Sequence, residues 1–455
     1  MPVMVDALSP LDGRYAAQLT DFARAFSEEA LFQNRFAVEV RWLLTLAAIP
    51  QIVEFDPVPE ATAAILEGWV AEFGPEDVAR IKVIEATTNH DVKAVEYYLK
   101  QRLSEIGLGS TAELVHFGCT SEDINNLAHN LMLKAGLSTA WLPLADRLVT
   151  GIAELARRHA DLPMPSHTHG QAATPTTLGK ELAVFAHRFG RQVDAIRGAE
   201  LLGKLNGAVG TFAAHVVAYP DVAWIDVSRR FVTGLGLGWN PLTTQIEPHD
   251  SLAELLHGLV RFNTILIDFC RDLWDYISRA YLRQHSLAGE VGSSTMPHKV
   301  NPIDFENAEA NAGISSALAE HLASKLMISR MQRDLSDSSA IRNLGATFGH
   351  SGLAVRATLR GLARVAPDAA AMAAELDGQW EVLGEAIQTV MRRYGHDQPY
   401  ERLKALTRGA TVSEADVAVF IVSLELPADA EARLLKLTPA TYTGLAARLV
   451  GFLGD

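Results

Sequence analysis

Apolar residues recur along this chain at intervals of three and four, the spacing of one face of an α-helix. In RFNTILIDFCRDLWDYISRAYL, residues 261–282, Phe262, Ile265, Leu266, Phe269, Leu273, Tyr276 and Ile277 share one face. Ile267, Cys270, Trp274 and Tyr281 make a second apolar face. A helix apolar on two sides belongs in the middle of a bundle or at a subunit interface. Thr174 as a cap, with Pro175 at the first helical position, predicts another long helix running to about Leu202. Asn301 and Pro302 repeat that start ahead of IDFENAEANAGISSALAEHLASKL, residues 303–326. Strands and helices do not alternate regularly, so a doubly wound sheet is disfavoured and the fold class read here is all-α. Breaks at GLGSTAEL (107–114) and RVAPDAAAM (364–372) predict three helical domains, 1–110, 111–364 and 365–455, with the long helices in the middle one. No repeat period is visible.

Composition narrows the class. The chain has 455 residues, 48% hydrophobic and 21% charged, enough apolar content for a sizeable core. No uninterrupted apolar run approaches the roughly 18 residues of a membrane span. The first residues lack a basic stretch followed by an apolar one, so no secretory signal is expected. Two cysteines, Cys119 and Cys270, argue against a secreted disulfide framework and fit a reducing cytoplasm. A net charge of −14 disfavours nucleic acid as a partner, although a local cluster of Arg and Lys can still receive a small anion.

Polar residues gather in a few stretches that a helix bundle does not require. In CTSEDIN (119–125), Thr120 and Asp123 have capping-box spacing; the exposed N–H groups of such a helix start also suit a carboxylate or phosphate. SHTHGQ (166–171) holds two histidines two apart, a weak metal signal without a third ligand but a natural source of acid/base chemistry. The pairs His90-Asp91 and His249-Asp250 could ligate a metal in a helical phosphohydrolase. TGLGLGWN (233–240) lacks the strand–turn–helix context of a dinucleotide site and reads as a tight loop. GKLNGAVG (203–210) reads either as an anion cradle of backbone N–H groups or as the turn that ends the helix begun at Thr174. In RMQRDLSDSSAIR (330–342), Arg330, Arg333 and Arg342 stand among serines: a solvated helix face, or donors for a phosphate.

GSSTMPHKVNP (292–302) resembles the signature loop of the fumarase/aspartase superfamily, and TSED and THGQ resemble its other two conserved regions. The Pro-His-Lys in the loop, SPLDGRY, TTNHDVKAVEYYL, TTQIEPHD and QRDLSDSSAIRN are similar to the adenylosuccinate lyase family in its longer bacterial form. His167 stands where that family leads one to expect a basic residue such as Arg. The resemblance runs over nearly the whole chain. It implies an all-α homotetramer with a twenty-helix core and active sites shared by three subunits, acting on small nucleotide substrates without a metal or organic cofactor. The implied reaction, in purine nucleotide biosynthesis, is an anti β-elimination that cleaves a carbon–nitrogen bond. It gives fumarate and AMP from adenylosuccinate, and fumarate and a carboxamide ribotide from the corresponding succinyl-carboxamide ribotide.

The same resemblance implies roles. Ser293 is the base and Ser294 a substrate contact; His169 is the general acid, oriented by Glu306 one helical turn past Pro302. Lys299, Asn301, Thr120 and Ser121 hold carboxylate. Arg14, Tyr15, Arg333, Ser338 and Arg342 match the phosphate side. Asn89, His90, Asp91 and Gln245 match further substrate contacts, with Asn307 beside them. A superfamily lyase of another substrate, such as argininosuccinate lyase or fumarase, a metal-dependent phosphohydrolase and a non-catalytic relative remain the alternatives to separate.

Overall fold

The computed structural model describes residues 6–54, 58–285, 296, 299–407 and 412–454. The helices used below are α1 (Glu28–Ala47), α2 (Asp91–Glu105), α3 (Ser121–Gly136), α4 (Leu142–Arg158), α5 (Leu178–Arg197), α6 (Asp250–Ser278), α7 (Ile303–Leu326), α8 (Leu344–Leu362) and α9 (Ala369–Asp377). Strand content among the described residues is three two-stranded pieces: the hairpin β1 (Pro163–Thr168) and β2 (Gln171–Thr177), the parallel pair β3 (Leu202–Gly203) and β4 (Gly238–Trp239), and the antiparallel pair β5 (Leu282–Gln284) and β6 (Val365–Pro367). The all-α class is therefore right, with this small β addition. No helix among the described residues is long and apolar enough to cross a membrane.

Contacts divide the chain into two compact units. One comprises Met1–Ala145, Gln192–Thr264 and Ala310–Val355; the other comprises Asp146–Arg191, Ile265–Glu309 and Arg356–Asp455. The division runs through α4 to α8, so each unit is assembled from three stretches of chain.

In the first unit the core gathers Phe36, Trp42, Tyr98, Ile124, Leu127, Leu205, Trp224 and Phe231. A buried polar chain also runs through it. Trp141 donates to Ser351 (2.9 Å), Ser351 to Asn263 (2.9 Å), Asn263 to Ser315 (2.9 Å), and Ser315 to the Thr347 carbonyl (2.8 Å). Because every link is satisfied, the chain fixes the register of α6, α7 and α8 rather than weakening them. In the second unit, Phe269 of α6 packs against Phe185 and Phe189 of α5, and Leu383, Ile387, Met391, Leu403, Ile421 and Leu434 form the core of the C-terminal helices.

Two helix starts differ from the expectation. The segment expected to be capped at Thr174 is the strand β2, and α5 begins only at Leu178 and ends at Arg197. The true cap is Thr177, whose Oγ1 accepts the Lys180 N–H at 3.2 Å. Pro165 and Pro175 explain the difference. The β1–β2 register shifts between Met164 and Ser166, and both prolines fall at that irregularity, where no ladder N–H is required. At the start of α7, Pro302 sits one place earlier than expected: its carbonyl accepts from Phe305 and Glu306 (3.1 and 3.3 Å), so it caps the helix rather than opening it.

Candidate active site

The start of α3 is a cap, as its sequence suggests, and it is also a hub. Asp123 Oδ2 accepts the Thr120 N–H at 2.8 Å. The same carboxylate accepts the N–H groups of Asn206 (2.8 Å) and Gly207 (3.1 Å) and lies 2.9 Å from Lys204 Nζ. Asp123 and Lys204 are both fully buried. Asn126 closes the junction, accepting the Lys204 N–H at 2.9 Å and donating to its carbonyl at 3.0 Å. The 203–210 segment does cradle an anion, then, but that anion is the protein's own Asp123. The helix-ending reading of this segment is wrong, because α5 stops at Arg197. Thr120 and Ser121 are left half-buried at the helix start, with N–H dipoles that suit a carboxylate.

A continuous chain of side chains joins four of the polar stretches within this unit. Gln245 accepts from Arg333 (3.2 Å), Arg333 donates to Glu122 (3.0 Å), Glu122 accepts from Asn125 (2.8 Å), and Asn125 accepts from Arg35 (2.9 Å). Arg35 then pairs with Asp91 at 2.9 Å, and Asp91 with Arg342 at 2.6 Å. Burial pushes the Asp91 carboxyl up, but Arg35 and Arg342 outweigh it and hold it at about 2. Asp91 is therefore a fixed anion between two guanidinium groups. Gln245 also donates to the Ala208 carbonyl at 2.8 Å. A cavity of about 190 Å³ opens beside Arg342, lined by Phe26, Leu31, His129 and Met132 among others. Ser338 borders a smaller cavity with His129 and His249.

The remaining residues of this unit are placed as follows. Asn89 ends its helix in the left-handed conformation, φ 49°, and His90 caps α2, its Nδ1 accepting the Lys93 N–H at 3.2 Å. Arg14 is exposed, with its guanidinium over the Tyr15 ring. Of the two His-Asp pairs, Asp91 is already engaged by Arg35 and Arg342, while burial pushes His249 down to about 4 and keeps its imidazole neutral. Among the described residues, no group of three or more His, Cys, Asp or Glu could hold a metal ion.

Sequence reasoning missed Arg35, Glu122 and Asn125, the links that make the chain continuous, and the buried acid–base cluster beside it. In that cluster His116 contacts Glu39 at 2.6 Å, and Glu96 holds Lys93 at 2.6 Å. A signal was present: Arg35 and Glu39 stand one turn apart on the face of α1 that also carries Leu31, Phe32, Trp42 and Leu46, where a charge implies a buried partner.

In the second unit, His169 stands at the tip of the β1–β2 hairpin. Thr168 pairs with Gln171, leaving a two-residue turn in which His169 and Gly170 have φ of 54° and 74°. Two left-handed residues are what a tight hairpin turn of the primed type I requires, which is natural for Gly170 and costly for His169. Glu306 lies in the first turn of α7 and accepts from Trp274 Nε1 at 3.2 Å; within the single chain it does not meet His169. Lys299 is exposed, Asn301 and Asn307 are half-buried, and Gln284 of β5 donates to the Val300 carbonyl at 2.8 Å. Ser293 and Ser294 lie outside the described residues.

Comparison with known proteins matches residues 13–314 to the family model described as Lyase, and residues 329–443 to the one described as Adenylosuccinate lyase C-terminal. The chain is 53% identical over 445 residues to the adenylosuccinate lyase of Escherichia coli K12, covering 98% of each chain. It is 52% identical over 445 residues to that of Haemophilus influenzae, again covering 98% of each. Among solved structures, a 3-carboxy-cis,cis-muconate lactonizing enzyme from Pseudomonas putida superposes with a TM-score of 0.76 at 25% identity over 95% of both chains. A fumarate lyase from Mesorhizobium sp. BNC1 shares the fold, with a TM-score of 0.76 at 21% identity over 95% of this chain and 97% of that one.

Proposed function

The chain belongs to the adenylosuccinate lyase family, and from that premise we propose that it cleaves adenylosuccinate to AMP and fumarate, and the succinyl-carboxamide ribotide of purine synthesis to its carboxamide and fumarate. Breaking the carbon–nitrogen bond needs a base at the carbon beside a carboxylate and an acid at the departing nitrogen. The carbon acid is weak, so fixed donors must stabilise the aci-carboxylate that develops. Ser293 takes the proton; Lys299 and Asn301, with Thr120 and Ser121, hold the succinyl carboxylates. His169 protonates the nitrogen, and Ser294 and Asn307 contact substrate.

The observation that carries this reading is the chain from Gln245 through Arg333, Glu122, Asn125, Arg35 and Asp91 to Arg342. It joins three guanidinium groups, two carboxylates and two amides and ends on Arg342 at the cavity, and guanidinium donors of this kind suit a nucleotide phosphate. Ser338, Asn89 and His90 complete that end, with Arg14 and Tyr15. The active molecule is a homotetramer whose sites combine residues of several copies, and it works in the cytoplasm. Exposed apolar side chains on the long helices, among them Trp274, Ile303 and Ile314, support such an assembly. The assembly also supplies a route for Glu306 of one copy to orient His169 of another.

Steady-state turnover of adenylosuccinate by His169→Gln and Ser293→Ala tests the roles. Each is expected to lower kcat by at least about 10²-fold, the usual contribution of a general acid or base. Near-normal kcat in either removes that residue from the chemistry. Turnover of argininosuccinate at a comparable rate would instead point to another lyase of the superfamily.

A further inference from the structure

We infer that Glu375, on the C-terminal helix α9, is a positioning residue for the elimination, holding in register the strand that carries the acid and the strand that leads to the carboxylate clamp. The inference rests on the roles proposed above for His169, Lys299 and Asn301.

A two-stranded hairpin is marginally stable alone, and the tip at residues 168–172 is exposed. The direction in which His169 points is therefore set by whatever grips the strands behind it. The α9 helix and the short helix Pro439–Thr441 pack on β1; residues 380–383 and the helix Ala446–Leu449 pack on β2. Polar grips reinforce this packing. At the hairpin base Glu385 accepts from Thr174 and, at 3.1 Å, from Tyr442. Near the tip, His167 Nε2, two residues before the acid, lies 3.2 Å from Glu375 Oε1 and 3.2 Å from Arg279 Nη1.

Glu375 differs from Glu385 in its remaining contacts. Its Oε2 accepts from the Tyr281 hydroxyl at 2.6 Å, and its Oε1 accepts from Gln379 at 3.2 Å. Burial and the neighbouring carboxylate push the Tyr281 hydroxyl up, so it remains a donor. Tyr281 is buried and leaves α6 through Ala280, which is left-handed at φ 62°. Its carbonyl accepts the Asp368 N–H at 2.8 Å, and β5 begins at the next residue. From β5, Gln284 bonds the Val300 carbonyl, between Lys299 and Asn301. One carboxylate thus links the strand ending at His169 with the strand tied to the clamp. Displacing reacting groups by about 1 Å costs on the order of 10²-fold in rate, so a linker of this kind governs kcat more than binding.

The test uses the full-length protein with Glu375→Ala, Glu375→Gln and Glu385→Ala, alongside His169→Gln. Expected for Glu375→Ala is a kcat lower by about 10- to 100-fold with KM within about 3-fold. Its solvent deuterium isotope effect on kcat should rise, because proton delivery from a misaimed His169 becomes slower. Glu375→Gln keeps an acceptor for Tyr281 and should recover most of kcat, while Glu385→Ala should lower thermal stability with kcat within about 3-fold of the parent. The inference is overturned if His169→Gln is inactive while Glu375→Ala keeps the parent's kcat and isotope effect. It is also overturned if Glu375→Ala loses activity only in proportion to unfolded protein. Parent-like turnover in His169→Gln would instead remove the underlying reading of the acid.

Discussion

Asp123 and Lys204 offer the sharpest test of how the start of α3, proposed above to receive a substrate carboxylate, is held. The carboxylate has three backbone donors, from Thr120, Asn206 and Gly207, plus the Lys204 ammonium at 2.9 Å, with both side chains fully buried. Lys204→Met removes the cation but leaves the three N–H bonds, and a hydrogen bond to a charged group is worth roughly 1.5–3 kcal/mol. Its cost should lie at the low end for breaking a buried pair, about 3 kcal/mol. Asp123→Asn is isosteric but harsher: its amide group turns N–H toward N–H donors and strands a buried ammonium, a cost of about 5 kcal/mol. The double variant buries no charge, so its cost should stay near about 5 kcal/mol instead of the sum, a coupling of about 3 kcal/mol. At about 2 °C per kcal/mol for a domain of this size, the expected falls in Tm are about 6 °C for Lys204→Met and about 10 °C for Asp123→Asn. Because a protein with two compact units need not unfold in one step, calorimetry should be paired with hydrogen exchange at the Thr120, Asn206 and Gly207 amides. Additive Tm losses, or amide protection unchanged in Asp123→Asn, would refute the hub.

Two further outcomes follow from single sites. Asp91 is held at about 2 between Arg35 and Arg342, against an ordinary carboxyl near 4, so ionised Asp91 contributes roughly 2 kcal/mol. That contribution is fully present above about pH 4 and lost as pH falls toward 2; the stability gap between parent and Asp91→Asn in denaturant titrations should narrow over that window, and a constant gap would count against the pairing. Ala280 occupies the left-handed position after α6, where Ala280 and Tyr281 donate back to Ile277 and Tyr276, so Ala280→Gly should raise stability by about 1 kcal/mol, and a fall in Tm would show that the strain is absent.

The parts of the fold legible in the sequence were those with a repeated local signal. The two-faced pattern at 261–282 and the start at Pro302 lead directly to α6 and α7. The hairpin carrying His169 was not legible because Thr174-Pro175 satisfies the rule for a helix start as well as Thr177 does. What decides between them is the pairing of 163–168 with 171–177, which no local window contains. The polar stretches at 87–93, 119–125, 243–250 and 330–342 were identifiable one by one, but their joining through Arg35 depends on a residue 90 positions from Asn125. Glu375 left no trace at all: its partners His167 and Tyr281 are remote in sequence, and a glutamate in a short C-terminal helix reads as a solvated face.

In the proposed reaction this chain splits adenylosuccinate by elimination with its own side chains. The most direct measurement is product analysis after the purified, chelator-treated protein meets adenylosuccinate. Fumarate and AMP are expected in equal amounts, at a rate unchanged by removing or restoring divalent metal. Intact substrate, or inorganic phosphate released only when metal is restored, would contradict it.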